Sequence, residues 1–131
     1  AVALDAHGNL AAATSTGGLT GKPAGRVGDT GIIGAGTWAD SAIAVSCTGV
    51  GEAFIRTVAA HSMAIHHQTA SLVQAAERVL DDVKPFGGRG GLIALNAHGE
   101  VVMPFQTMLM YRGVYQDGGI RVGIGPEFIQ S

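Results

Sequence analysis

At Gly51 the apolar residues change period, and that change restricts the chain to folds that combine sheet with helix. From there Phe54, Ile55, Val58, Ala59, Ser62 and Ile65 recur at spacings of three and four, placing them on one helical face. Glu52 falls in the first turn, where a carboxylate favours the positive end of the helix dipole. A second helix is expected after Ser71, with Leu72, Ala75, Ala76, Val79 and Val83 turned inward. Lys84-Pro85 and the glycines from Gly87 to Gly91 end it. Strand-like segments lie on both sides of this helix pair, so the chain reads as α+β. Two antiparallel sheets with outer helices and a single sheet with helices on one face fit that order equally well.

The flanking segments carry their own punctuation. Residues 1–6 and 10–16 are short extended candidates joined by His7-Gly8-Asn9, a turn sequence whose glycine and asparagine tolerate positive φ. Near the other end, residues 92–96 and 101–103 flank Ala97-His98-Gly99-Glu100. The shared Ala-His-Gly is read as one turn chemistry used twice rather than as an internal repeat. Residues 17–36 are glycine-rich and without period, hence a long loop of the kind that usually serves function. Ile32-Ile33 and Ile43 to Cys47 are expected as buried strands around an Ala39-Asp40-Ser41 turn, and Arg121 to Gly125 as the last strand.

Composition excludes several classes. A net charge of −2 with scattered basic residues disfavours nucleic acid and anionic membrane as partners. No apolar run approaches the length of a membrane span, and Ala1-Val2-Ala3-Leu4-Asp5 lacks the marks of a secretion signal. Cys47 is the one cysteine, which makes a reducing compartment, the cytoplasm, the expected location. With 47% hydrophobic residues in 131, some apolar surface is expected to be buried against a partner. The five histidines show no spacing with carboxylates or Cys47 that makes a metal site, and neither metal nor cofactor is expected. Cys47 itself reads as an inert core thiol, and Trp38 and Tyr111 as packing residues.

Three constellations carry chemistry: Thr14-Ser15-Thr16-Gly17-Gly18, Gly25-Arg26-Val27-Gly28-Asp29 and Ser46-Cys47-Thr48-Gly49-Val50-Gly51. Arg26 and Asp29 suit the two charges of an amino-acid α-centre, since a guanidinium grips a carboxylate and a carboxylate grips an ammonium. The same two residues also suit an ordinary ion pair bracing a loop. Thr48 to Gly51 stands where a strand gives way to a helix, a junction whose free backbone N–H groups face anions or a developing oxyanion. A plain turn with Thr48 near the N-cap fits as well. Thr16 could be a buried hydroxyl that satisfies backbone. The residues alone leave each of these pairs open.

Taken together and in order, these segments resemble the β-subunit of the plant-type L-asparaginases and isoaspartyl aminopeptidases, of the N-terminal nucleophile hydrolase superfamily. Gly34-Ala35-Gly36-Thr37-Trp38-Ala39-Asp40, Thr48-Gly49-Val50-Gly51-Glu52 and Gly90-Gly91-Leu92-Ile93-Ala94 extend the resemblance over most of the chain, and it weakens after about Phe105. It implies that residues 1–131 form the β-subunit part of one four-layer αββα sandwich. A separate α-subunit cut from the same precursor would complete that sandwich, usually within a dimer of αβ heterodimers. It implies hydrolysis of the asparagine side-chain amide and of β-aspartyl dipeptides through a covalent acyl-enzyme. Arg26 would bind the substrate α-carboxylate and Asp29 its α-amino group. Thr48 and Gly49 would form the oxyanion hole, Thr16 would hydrogen-bond near the nucleophile, and Gly51 would line the site through its backbone. The related glycosylasparaginases share the Gly-Arg-Val-Gly-Asp segment, so that branch remains an alternative.

In this family the β-subunit begins with a threonine, typically as Thr-Val-Gly ahead of the position of Ala1. Its hydroxyl attacks, and its own amine, titrating near ~8, accepts the proton. Ala1 has no nucleophilic side chain, and Thr14 and Thr16 are internal and lack the free amine. The nucleophile is therefore expected from residues ahead of Ala1. The alternative is a catalytically inactive binding or structural fragment.

Overall fold

A computed structural model describes residues 1–130. A hairpin of β1 (Val2–Leu4) and β2 (Leu10–Ala12) comes first. An irregular stretch follows, interrupted by one 3₁₀ turn at Asp29–Gly31. Next come β3 (Thr37–Ala39), β4 (Ile43–Gly49), α1 (Gly51–Thr57), α2 (Ala59–His67) and α3 (Leu72–Val83), then a 3₁₀ turn at Lys84–Phe86. β5 (Gly90–Asn96) and β6 (Val101–Val102) return to the sheet. β7 (Arg112–Gln116), β8 (Gly119–Gly123) and β9 (Ile129–Gln130) form a separate antiparallel sheet. The chain is α+β, as its sequence indicates. Among the described residues no helix is long and apolar enough to cross a membrane.

The central sheet runs β3-β4-β5-β6, antiparallel throughout, with Val45 opposite Ala94 and Cys47 opposite Leu92. Alternation along a strand sends neighbours to opposite faces. Ile43, Val45, Cys47, Leu92 and Ala94 therefore share one face, and they join α1, α2 and α3 in a single core with Phe54, Met63 and Val79. Ala44 and Ser46 are also buried but lie outside that core, on the face where the β1–β2 hairpin packs against β4 and β5. Both faces of β4 and β5 are thus covered. Helices, central sheet and hairpin form three successive layers.

The β1–β2 and β5–β6 hairpins turn by the same device. Asp5 Oδ1 accepts the backbone N–H groups of His7 and Asn9 at 2.8 Å, and Gly8 follows at φ +86°. Asn96 Oδ1 accepts those of His98 and Glu100 at 3.0 Å, and Gly99 follows at φ +80°. A side-chain acceptor ahead of Ala-His-Gly closes each turn. The shared triplet is turn chemistry.

Three expectations are corrected. Ile32 and Ile33 are not a buried strand: Ile33 is 78% exposed and makes only a bridge to Thr37. The partner of β4 is instead Thr37–Ala39, pinned where Asp40 Oδ1 accepts the N–H groups of Ala42 and Ile43. The last strand is not Arg121–Gly125, since β8 stops at Gly123 and Ile129–Gln130 pairs beyond it. The helix after Gly51 is not continuous. It breaks at Val58, which sits at φ +49°, and α2 restarts with a rotated inner face of Ala59, Ala60, Met63 and Ala64 that leaves Ile65 exposed. The backbone at the break is held because the N–H groups of Ala60 and His61 donate to the carbonyls of Ala35 and Gly34. By contrast α3 matches its pattern, opening on a capping box in which Ser71 and Gln74 satisfy each other's backbone N–H groups.

A β-branched residue in the left-handed region is strained, costing roughly 1–2 kcal/mol, partly offset by the entropy glycine loses on folding. Val58→Gly should therefore stabilise the protein by about 0.5–1 kcal/mol. The shift is read as a higher urea midpoint at unchanged slope, and a lower midpoint would show that tertiary packing, not backbone strain, dominates at Val58.

Candidate active site

One open pocket of about 790 Å³ lies at the end of β4 where the hairpin, the glycine-rich loop and the segment after β6 converge. Its walls include Thr16, Arg26, Asp29, Thr48 and Gly49, so five residues singled out from sequence meet in one place. Ala1 lies on the same wall, beside Thr14 and Ser15. Gly51 is not part of the pocket surface. It is buried behind it, where a Cβ would stand 2.9 Å from both the backbone nitrogen and Oδ1 of Asp29. Its lack of a side chain seats Asp29 instead.

Asp29 is 5% exposed, and its Oδ2 has no hydrogen-bond partner among the described residues. Burial pushes this carboxyl above its ordinary range, against smaller opposing effects from its own backbone N–H and the Arg26 charge. A buried carboxylate oxygen without a donor is costly, and Asp29 is among the residues that line the pocket, where a carboxylate suits a cation. Gly36 makes room for the turn that presents it, because a Cβ there would stand 2.5 Å from the Asp29 carbonyl oxygen.

Arg26 does not pair with Asp29. Its Nε and Nη2 donate to the two carboxylate oxygens of Glu52, each at 2.9 Å, a bidentate arrangement. The loop ion pair considered from sequence is therefore Arg26–Glu52, and Glu52 does more than complement the helix dipole. Arg26 holds the Glu52 carboxyl below its ordinary range. Only 14% of the Arg26 side chain is exposed, which fixes the guanidinium at the pocket wall. No local pattern announces this pairing, because its partners lie 26 residues apart.

Thr48 and Gly49 end β4 and are exposed to the pocket. Gly49 has φ +149°, and a Cβ there would run into the carbonyl oxygen of Arg89, so only glycine suits the site. That carbonyl accepts the N–H of Val50 at 3.0 Å, which uses one of the amides at the strand-to-helix junction. Val50, not Thr48, is the N-cap residue of α1. Thr16 is exposed rather than buried, and its Oγ1 accepts the N–H of Gly18 at 2.9 Å. Thr14 and Ser46, to which the motifs assign no role, share a 2.8 Å hydroxyl contact on the pocket wall, and Thr14 also donates to the Gly36 carbonyl. Arg89 and the Gln106-Thr107-Met108 segment line the pocket too. Gln106 Nε2 donates to the Leu80 carbonyl, tying that segment to α3.

Cys47 also reaches the pocket lining, but burial and then the nearby Asp29 charge push its thiol far upward. A thiol so buried has little thiolate character, in keeping with an inert core cysteine. Trp38 packs against the core, stands edge-on to His61 and donates from Nε1 to Asp40. Among the described residues no group of three or more His, Cys, Asp or Glu is arranged to hold a metal ion.

Comparison with known proteins gives a consistent picture. A family model described as asparaginase matches residues 1–124. The isoaspartyl peptidase of Escherichia coli K12 is 50% identical over 134 residues, which covers 91% of this chain and 42% of that protein. The isoaspartyl peptidase of Salmonella typhimurium is 54% identical over 116 residues, 86% of this chain and 37% of the relative. An isoaspartyl peptidase/L-asparaginase of Xenopus laevis is 44% identical over 128 residues, 95% and 41% respectively. The chain spans about two fifths of the length of these curated relatives.

The buried Asp29 carboxyl generates a pH prediction. Its folded pKa is raised, so the folded chain holds the proton to higher pH than the unfolded chain does. Stability then falls as pH rises through the window between the unfolded and folded values. Above that window the full cost remains. Asp29→Asn should accordingly stabilise the protein at neutral pH, with the gain fading as pH drops below the ordinary aspartate range. Thermal midpoints of both proteins across pH 3–8 test this, and a gain that does not change with pH would rule out the charge as its source.

Proposed function

The chain belongs to the asparaginase family, and on that premise we propose that it forms the substrate-gripping part of an amidohydrolase. The substrates are L-asparagine, cleaved at the side-chain amide, and β-aspartyl dipeptides, cleaved at the isopeptide bond. The observation that carries this reading is the gathering of Thr16, Arg26, Asp29, Thr48 and Gly49 around one pocket. The orphan Asp29 oxygen and the Arg26 guanidinium supply the two charges an α-amino acid centre requires.

In this reading the substrate α-carboxylate meets Arg26 and its α-ammonium meets Asp29. The scissile carbonyl then lies against Thr48 and Gly49, whose hydroxyl and N–H stabilise the oxyanion that forms on attack. The nucleophile is the hydroxyl of an N-terminal threonine, three residues ahead of Ala1, freed when a precursor cuts itself. Its amine takes the hydroxyl proton and passes it to the departing ammonia or amine. Water then attacks the acyl-enzyme, held in the same oxyanion site, and releases aspartate. Thr16 hydrogen-bonds near the attacking group. Ala1 lies on the pocket wall, so a segment leading into it arrives beside these groups.

The remainder of the protein would be an α-subunit from the same precursor. It would add the outer layer over the β1–β2 hairpin, where Ala3 and Ala11 are exposed, and complete a four-layer αββα sandwich of which residues 1–131 are one part. Pairs of such heterodimers would then associate. The cytoplasm is the proposed compartment.

A substrate panel tests the reading: asparagine, β-aspartyl-leucine and a glycosylated asparagine, assayed with the protein matured from its precursor. The first two should be hydrolysed, whereas hydrolysis of the last alone would assign the chain to a different branch. Arg26→Ala should raise KM about tenfold or more, since a hydrogen bond to a charged group contributes about 1.5–3 kcal/mol. Thr48→Ala should instead lower kcat by about 10²–10³. Unchanged constants in both variants would overturn the site.

A further inference from the structure

The pocket contains one charge that an asparagine substrate leaves unused. Its charged wall residues are Arg26, Asp29 and Arg89. Arg26 is held by Glu52 and Asp29 awaits a cation, but Arg89 has no ion pair and no side-chain hydrogen bond among the described residues. It is exposed, and it is the one side chain in Gly87-Gly88-Arg89-Gly90-Gly91. Its backbone is firmly placed: the Arg89 carbonyl accepts the Val50 N–H at 3.0 Å, and Gly88 and Gly90 on either side are buried. A Cβ on Gly88 would stand 2.6 Å from the Val83 carbonyl oxygen, which leaves this segment little freedom to shift.

We infer that Arg89 binds a second carboxylate on the substrate, the one carried by the leaving residue of a β-aspartyl dipeptide. This rests on the function proposed above and names the substrate class that the pocket favours. Once an α-centre is seated, Arg26 and Asp29 are both engaged, and the remaining amide of asparagine is neutral. A β-aspartyl dipeptide differs in its leaving group, an amino acid whose α-carboxylate lies beyond the scissile bond. The Arg89 backbone adjoins Gly49 and Val50 at the end of β4, and Arg89 lines the same pocket, so the carboxylate of a leaving residue that extends past Thr48 and Gly49 comes within reach of its long side chain. A guanidinium is suited to a carboxylate there because it offers paired donors and stays charged at all working pH values. Among the described residues, no partner of Arg89 has to be displaced when a carboxylate arrives.

The experiment compares β-aspartyl-leucine with its C-terminal amide, which differ only in the second carboxylate. The precursor-matured protein should prefer the free acid by about fivefold in kcat/KM, an exposed pair being weaker than a buried one. Arg89→Met should bring the ratio close to one. Arg89→Lys should retain part of the preference, since the charge survives without the paired donors. The preference of the unaltered protein should also shrink as salt rises. An equal ratio in the unaltered protein and in Arg89→Met, with both turning over β-aspartyl-leucine, would overturn the role of Arg89 and leave the proposed function standing. Absence of turnover of any β-aspartyl compound by the unaltered protein would overturn that function, and this inference with it.

Discussion

The ladder between β4 and β5 is the constraint on which the rest of the structure depends. Seven consecutive residue pairs, from Ile43 opposite Asn96 to Gly49 opposite Gly90, hold two strands that are covered on both faces. One face seats three helices and the other seats the hairpin. Because the helical core fixes Val45, Cys47 and Leu92, the end of β4 cannot slip without turning its side chains to the wrong face. The pocket is built at that end. Thr48 and Gly49 hold their positions through this register, opposite Gly91 and Gly90.

The loop that faces them is ordered by the reverse logic, through groups the fold leaves incomplete. Asp29 is buried with an oxygen unmet, and two glycines, Gly36 and Gly51, provide the space in which it sits. Stability alone would favour a neutral residue at this position. A charge held at such a cost is typical of a site prepared for a ligand, where affinity is gained because the acceptor has already lost its water. Arg26 shows the complementary arrangement. Glu52 fixes its guanidinium with two hydrogen bonds, so little freedom remains in that side chain.

Much of this was legible in the sequence where local chemistry decides the outcome. The start of α3 after Ser71, its inward face and the two turns at Ala-His-Gly follow from short-range patterns that the structure reproduces. The convergence of Thr16, Arg26, Asp29, Thr48 and Gly49 came from the ordered set of motifs, since no single segment carried it. What was not legible depends on contacts across the chain. The break at Val58 is fixed by backbone bonds to Gly34 and Ala35, and the helical period runs through it unaltered. The pairing of Arg26 with Glu52 joins a loop to a helix with nothing between them to signal it. Ile32 and Ile33 look like strand by composition but have no neighbouring strand to pair with beyond a single bridge.

Cys47 lies at the boundary between the core and the pocket, and its environment decides how that wall responds to reactive chemistry. Its sulfur is buried among apolar neighbours, close to a carboxylate and without a nearby cation to favour the thiolate. Thiol oxidation and alkylation both proceed through the thiolate, so the wall carries a cysteine that oxidants and electrophiles have little means to attack. Compounds designed to capture a cysteine would therefore find no handle in this part of the pocket wall.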